Sequence, residues 1–382
     1  MFKKIAIVLV ALILVVIGLA FTDHLAHLKN YVTWGVHTVH DYRTHPTRDV
    51  PKSNQPQPWL IDSSYNTKEI PASLMEVIDS NDTHAFLVIQ NGKIVYERYW
   101  DGYDSARISG SFSAAKSIVS LLVGIALDEG KIKSLDEPVA KYLDHFKTNG
   151  LEKVTIKHLL TMSSGTNYNE ADKGYFSLNA YGYYGDDLEF MVEKMERKEE
   201  PGVFWQYRSG DTQVLGLVVE KVFGQNLSTL VAERFTGPMG AENDALWLLD
   251  GEEKREKAFC CYNATARDYA RFGQLVLNKG NWNGKQIVSE QYISEATAPA
   301  SFLKDRDENN APVDFYGYQY WIVNQSGVKA IAQNGLFGQY VYIIPERNAV
   351  VVRLGESKVI KPIHHHQPEN YTYVDAALSV LN

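Results

Sequence analysis

Ser113-Ala114-Ala115-Lys116 places a hydroxyl and an amine three residues apart, directly after the polar turn Ile108-Ser109-Gly110-Ser111. On a helix that spacing puts both groups on one face, about one turn apart. Serine is a weak nucleophile until a base takes its proton, and a desolvated lysine can serve as that base. The Ser113 amide falls among the unpaired N–H groups of a helix N-terminus, where it can donate to a developing oxyanion. Alone the tetrad is weak evidence, because it occurs by chance in many helices. A second polar turn, Trp205-Gln206-Tyr207-Arg208-Ser209-Gly210-Asp211, precedes an apolar helix. Tyr207, as phenolate or hydrogen-bonded to an ammonium, could pass a proton to a leaving group; read singly, it is an ordinary half-buried tyrosine. A third, Gln333-Asn334-Gly335-Leu336-Phe337-Gly338-Gln339, stands just ahead of a strand pattern. Glycines there let a backbone or substrate approach closely and could leave an N–H free as a second oxyanion donor. A plain glycine-rich turn would look the same.

These segments need a scaffold. Phe86–Gln90, the Asn91-Gly92 turn and Ile94–Tyr99 predict a β-hairpin. From Ser113 the apolar period becomes helical, with Ile118, Leu121, Leu122, Ile125 and Ala126 on one face and Gly130 as the stop. Helical patterns follow to about Phe272, including 215–222 and 266–277, around an aromatic stretch, Tyr175 to Tyr184, that reads as irregular. Strand patterns return at Trp321–Val323, Tyr340–Ile344 and Ala349–Leu354, and an apolar helix, 374–381, closes the chain. Strands at both ends imply one antiparallel sheet completed by distant segments, flanked by helices. The middle, about 130–262, would be an inserted helical subdomain, with a site at the seam.

A net charge of −8 argues against a nucleic-acid partner. The only cysteines are adjacent, Cys260-Cys261, and read as two small buried side chains rather than a strained ring. Lys3-Lys4 precede an apolar run from Ile5 to Phe21. Residues 1–22 therefore read as a single membrane anchor, or alternatively a cleaved signal peptide, placing the remainder outside the cytoplasm. Residues 23–60, rich in His, Thr, Pro and Asn, read as a linker, and 61–382 as the globular domain.

Taken in order, the three chemical segments resemble the serine β-lactamase and penicillin-binding-protein superfamily, whose signature includes Ser-x-x-Lys. The resemblance spans roughly residues 80 to 355. It includes Asp136-Glu137-Pro138-Val139, Val154 through Gly165, Pro201-Gly202, Arg267 through Gly273 and Phe337 through Glu346. It is closest to the class C branch, and within it to 6-aminohexanoate-dimer hydrolases and related carboxylesterases. The resemblance implies a β-lactamase/transpeptidase-like α/β fold. It implies Ser113 as nucleophile, Lys116 as base, Tyr207 as proton relay, and an oxyanion hole from the N–H groups of Ser113 and Leu336. Ser209, Gln333, Asn334 and Gly335 would meet the substrate, and Tyr168 would line the cleft.

Two departures matter. Ser209 stands where the lactamases carry an asparagine, and neutral Gln333 stands where they carry the lysine of Lys-Thr-Gly. Loss of that positive charge counts against penicillin or cephalosporin turnover. A glutamate acting through water, the class A device, is not visible in the sequence. The expected activity is hydrolysis of a small ester or amide with no metal or organic cofactor. A β-lactamase or D-amino-acid peptidase, and a catalytically silent binding protein, are the alternatives. His364-His365-His366 reads as a solvated loop, and His158 as structural.

Overall fold

The computed structural model describes residues 5–8, 10, 14, 18 and 26–381. Most of the N-terminal apolar run and the paired lysines before it lie outside the described residues. Among the described residues no single helix is long and apolar enough to cross a membrane.

The scaffold is a seven-stranded sheet in the order β8-β9-β10-β11-β3-β4-β2. Its members are β2 (Leu60–Ile61), β3 (Thr83–Gln90), β4 (Lys93–Tyr99), β8 (Trp321–Gln325), β9 (Val328–Gly335), β10 (Gln339–Ile344) and β11 (Ala349–Gly355). All neighbours pair antiparallel except β2 with β4. The β3–β4 turn has Asn91 and Gly92 at φ 52° and 74°, the left-handed backbone that an Asn-Gly hairpin favours. The N-terminal hairpin joins the C-terminal strands through β3 and β11, with Phe86 opposite Arg353 and Val88 opposite Val351.

Both faces of the sheet are covered at its centre, so β3, β10 and β11 carry near-continuous apolar runs. Phe86, Val88, Tyr342 and Val351 pack with the last helix, Glu369–Val380, through Tyr373 and Val374. Leu87, Ile89, Val341 and Val350 face the other way, toward the helix Ala266–Leu277. That helix comes so close at Gly273 that a Cβ would sit 2.6 Å from a Val350 methyl. Between sheet and helical region runs α2 (Ala115–Asp128), buried from Ala115 to Ala126. Its inward hydroxyls are satisfied by the segment before β8: Ser117 Oγ donates to Gln319 O at 2.7 Å and Ser120 Oγ to Tyr318 O at 2.8 Å.

A second sheet, in the order β1-β6-β7-β5, is made by β1 (Thr47–Val50), β5 (Ser109–Gly110), β6 (Ala245–Leu248) and β7 (Tyr262–Ala264). It corrects the reading of residues 23–60 as a free linker. α1 (Ala26–Trp34) packs on α4 (Leu178–Tyr184), β1 pairs with β6, and Trp59 Nε1 donates to Arg267 O at 2.9 Å. The composition resembles a tether, but Trp34, Tyr42 and Trp59 in it pack half-buried against the domain core.

The aromatic stretch 175–184 is likewise helical from Leu178. Ser177 caps it by accepting the Ala180 N–H, and its tyrosines supply the surface on which α1 rests.

Candidate active site

Ser113 sits in a single 3-10 turn, Phe112–Ala114, which leads into α2. The turn is fixed by Ser111, whose N–H donates to Tyr262 O at 2.8 Å, and by Phe112, whose φ of 44° is unusual for a bulky residue. One turn on, Lys116 Nζ donates to Ser113 Oγ at 2.9 Å and to the Phe259 carbonyl at 2.7 Å. Lys116 is 2% exposed. Burial disfavours its charged form and lowers its pKa to about 7, against a smaller opposing pull from Glu170. The ammonium is thus poised to be neutral near physiological pH while still aimed at the serine.

Tyr207 closes the third side. Lys116 Nζ lies 5.1 Å from its ring centroid, and its hydroxyl is within reach of Ser113. Burial, with the charge of Glu170, raises the Tyr207 pKa well above the ordinary phenol value. Burial thus favours the neutral phenol of Tyr207 over the phenolate. The loop carrying Tyr207 is anchored by buried Arg208, which donates to Glu199 Oε1 and Gln206 Oε1, both at 2.7 Å. The helix after it, α5 (Ser209–Phe223), begins with Ser209.

The remaining expected residues fall around this core in unequal ways. Gly335 ends β9 against the nucleophile turn, and a Cβ there would meet Ser111 O at 2.0 Å. Only glycine lets strand and turn approach so closely. The segment expected as a turn ahead of a strand is therefore a strand itself, Gln333 to Gly335 pairing with Val341 to Gln339. Gln333 is 1% exposed, its amide beside the buried Tyr320 hydroxyl, and the Asn334 Oδ1 is a buried atom without a protein hydrogen-bond partner. Leu336 opens the short turn after β9 and is 39% exposed. The next residue, Phe337, has φ 60°, and its ring meets that of Phe112 edge-on at 5.3 Å. Tyr168 is buried, donates to Asn179 Oδ1 at 3.1 Å and packs under Gly210.

Three groups at the site escape the sequence reading. Glu170, half-buried, accepts the Ser209 N–H at 2.5 Å, and its charge acts on Lys116, Tyr168 and Tyr207. Asp211 is buried, accepts from Ser164 Oγ at 2.6 Å, and has its pKa raised by burial to about 7. Phe259 contributes a carbonyl, which no side-chain pattern announces, and its ring centroid lies 5.7 Å from Lys116 Nζ. Its neighbours Cys260 and Cys261 form a vicinal disulfide, correcting the expectation of two separate side chains. Cys261 has φ 74°, the backbone setting that brings the two sulfurs together.

The His triplet points in three directions: His366 Nε2 lies 2.9 Å from Ile322 O, and His365 Nε2 lies 2.8 Å from Asp305 Oδ2. Asp305, Asp307 and His365 hold ligand-type atoms within 4.8 Å of one another on a separate loop pair. His158 Nδ1 accepts the Thr155 N–H at 3.2 Å in a capping box, a structural role.

The family profile described as Beta-lactamase matches residues 81–366. The 6-aminohexanoate-dimer hydrolase of Paenarthrobacter ureafaciens is 26% identical over 299 residues, covering 74% of each chain. Esterase EstB of Burkholderia gladioli is 34% identical over 148 residues, 34% of this chain and 36% of that one. A solved Bacillus anthracis structure assigned as a 6-aminohexanoate-dimer hydrolase superposes with TM-score 0.75 and 26% identity, covering 91% of this chain and 93% of that one. A family VIII carboxylesterase shares the fold at TM-score 0.62 and 17% identity, covering 84% of this chain and 99% of that one.

Proposed function

Because the chain belongs to the Beta-lactamase family, we propose that it is a serine hydrolase cleaving small esters or amides through a Ser113 acyl-enzyme. The observation that carries this is the buried Lys116 amine, 2.9 Å from Ser113 Oγ and lowered to about pKa 7. Ser113 Oγ attacks the carbonyl carbon while its proton passes to neutral Lys116. The developing oxyanion faces the Ser113 N–H and, across the Gly335 contact, the Leu336 N–H. As the C–O or C–N bond breaks, the proton on Lys116 reaches the departing oxygen or nitrogen through the Tyr207 hydroxyl. Water then attacks the acyl carbon and gives its proton to Lys116. Cleavage of the ester to Ser113 returns that proton to Oγ and frees the acid.

The ester or amide reading, rather than a β-lactamase or D-amino-acid peptidase, is supported by Gln333, a buried neutral amide at the position where a lactamase lysine would attract a substrate carboxylate. The relatives' own names, a dimer amide hydrolase and an esterase, point the same way. The Gln333 amide, beside the Tyr320 hydroxyl, would be a neutral polar contact for the substrate in place of a charged one. Lys3-Lys4 and the apolar run after them are read as an anchor holding the domain outside the cytoplasm.

The test compares a p-nitrophenyl ester with a chromogenic cephalosporin on the full chain in detergent, with Ser113→Ala as control. Faster ester turnover, lost in the variant along with fluorophosphonate labelling, is expected. Dominant cephalosporin turnover would replace this reading with the β-lactamase one. Absence of labelling would leave a silent binding protein.

A further inference from the structure

One face of the domain is apolar without being covered by it. α1 buries His27 against α4, where His27 and Tyr181 rings lie 4.2 Å apart. Its other side is open: Val32 is 80% exposed, and Val36 just beyond the helix is 83% exposed. The loop before α4 adds Tyr175 and Phe176, 56% and 64% exposed. Tyr31 joins the two, its ring edge-on to Tyr175 at 5.0 Å. Scattered exposed apolar side chains are ordinary, but five on α1, its end and the adjoining loop, together exposing on the order of 500 Å², are the amount that marks an interaction surface.

What covers this face is indicated by the chain leading into it. The apolar run ends at Phe21, so only residues 22–25 separate it from α1. Four residues span at most about 15 Å. Within the run, Ile5, Ile7, Val8, Val10 and Leu14 are helical and 48% to 68% exposed, so the domain does not shelter them. If that run is in a bilayer, α1 is held within about one headgroup layer of it. Tyrosine beside phenylalanine and valine is the side-chain mixture that settles at the boundary between headgroups and acyl chains.

We infer that Tyr31, Val32, Val36, Tyr175 and Phe176 form a membrane-docking face that rests on the bilayer holding the chain's own N-terminal segment. The inference depends on the anchor reading above. Phe176 is six residues from Glu170, so Glu170 lies within about 20 Å of this face. A docked domain thus meets substrates dissolved in, or emerging from, the membrane boundary.

The test uses the full chain in vesicles of phosphatidylethanolamine and phosphatidylglycerol carrying a nitroxide on the upper acyl chain. Bimane is placed at Val32→Cys or Phe176→Cys, and at Ser326→Cys in the β8–β9 turn as reference; the native cysteines are buried. Quenching about twofold or more stronger at 32 and 176 than at 326 is expected for shallow insertion. In a Val32→Asp/Phe176→Asp background, a label at Val36→Cys should lose its quenching. Fluorophosphonate labelling of Ser113 in that background verifies that the domain is still folded. Flotation with the vesicles in alkaline carbonate without differential quenching overturns the docking face while the anchor stands. Failure to float overturns both. Self-quenching between copies without lipid quenching also overturns the proposal, the face then being covered by a second chain.

Discussion

A pH titration of kcat/KM for a neutral p-nitrophenyl ester addresses the catalytic reading directly. Only neutral Lys116 can accept the Ser113 proton, so the rate follows the neutral fraction, and activity rises with pH through a pKa of about 7 before levelling. Two pH units below that pKa roughly one amine in a hundred is neutral, so kcat/KM at pH 5 should be about 100-fold below its plateau. The ester has no titratable group, so the limb belongs to the enzyme. Glu170 supplies the second arm. Its carboxylate pulls the Lys116 pKa upward against the dominant effect of burial, so Glu170→Gln should move the limb toward acid. The plateau itself then reports whatever the lost Ser209 contact does to geometry. Stopped-flow acylation between pH 4.5 and 9, corrected for spontaneous hydrolysis, gives the profile. A flat profile would refute Lys116 as the base, and an alkaline displacement in Glu170→Gln would refute the electrostatic account of its pKa.

Lys116→Met should abolish turnover yet stabilise the fold. The folded-state pKa of about 7 lies below the ordinary 10.5, so between those values the unfolded chain binds more protons and stability rises with pH. Below about pH 7 the buried ammonium costs up to about 5 kcal/mol relative to its exposed form. A denaturant-midpoint gain at pH 7 that shrinks toward pH 10 is expected, and an equal gain at both would contradict it. Gln333→Lys should raise turnover of a carboxylate-bearing cephalosporin relative to a neutral ester by about tenfold, some 1.4 kcal/mol of differential binding; unchanged ratios would show that position 333 does not face the substrate acid. Gly335→Ala should lower kcat by about 100-fold or more, because its Cβ would strike Ser111 O and displace the strand end from the nucleophile turn. Normal acylation in that variant would remove Leu336 from the oxyanion hole.

The parts visible in the sequence are those set by local spacing. Ser113 and Lys116 are one helical turn apart, and the Asn91-Gly92 hairpin carries its own turn chemistry, so both survive folding unchanged. What stayed hidden is set by distant partners. Phe259 acts through its backbone oxygen, which any residue could offer. Glu170 matters because the Ser209 amide comes to it, and nothing near residue 170 signals that approach. Residues 23–60 have a linker's composition, yet β1 pairs with a strand almost 200 positions later. Strand β9 was obscured because it ends in Gln333-Asn334-Gly335, whose polarity serves the cleft rather than the sheet.

The pairing of β3 with β11 has a consequence for how this protein is made. Phe86 is translated more than 260 residues before Arg353, but each needs the other as a sheet neighbour. Long-range pairing of this kind is slow and cannot begin until both strands exist. A ribosome-bound chain holding Ser113, Lys116 and even Tyr207 therefore still lacks the strand that shapes their surroundings. On the proposed reading, hydrolytic activity would therefore appear only after the C-terminal strands have joined the sheet.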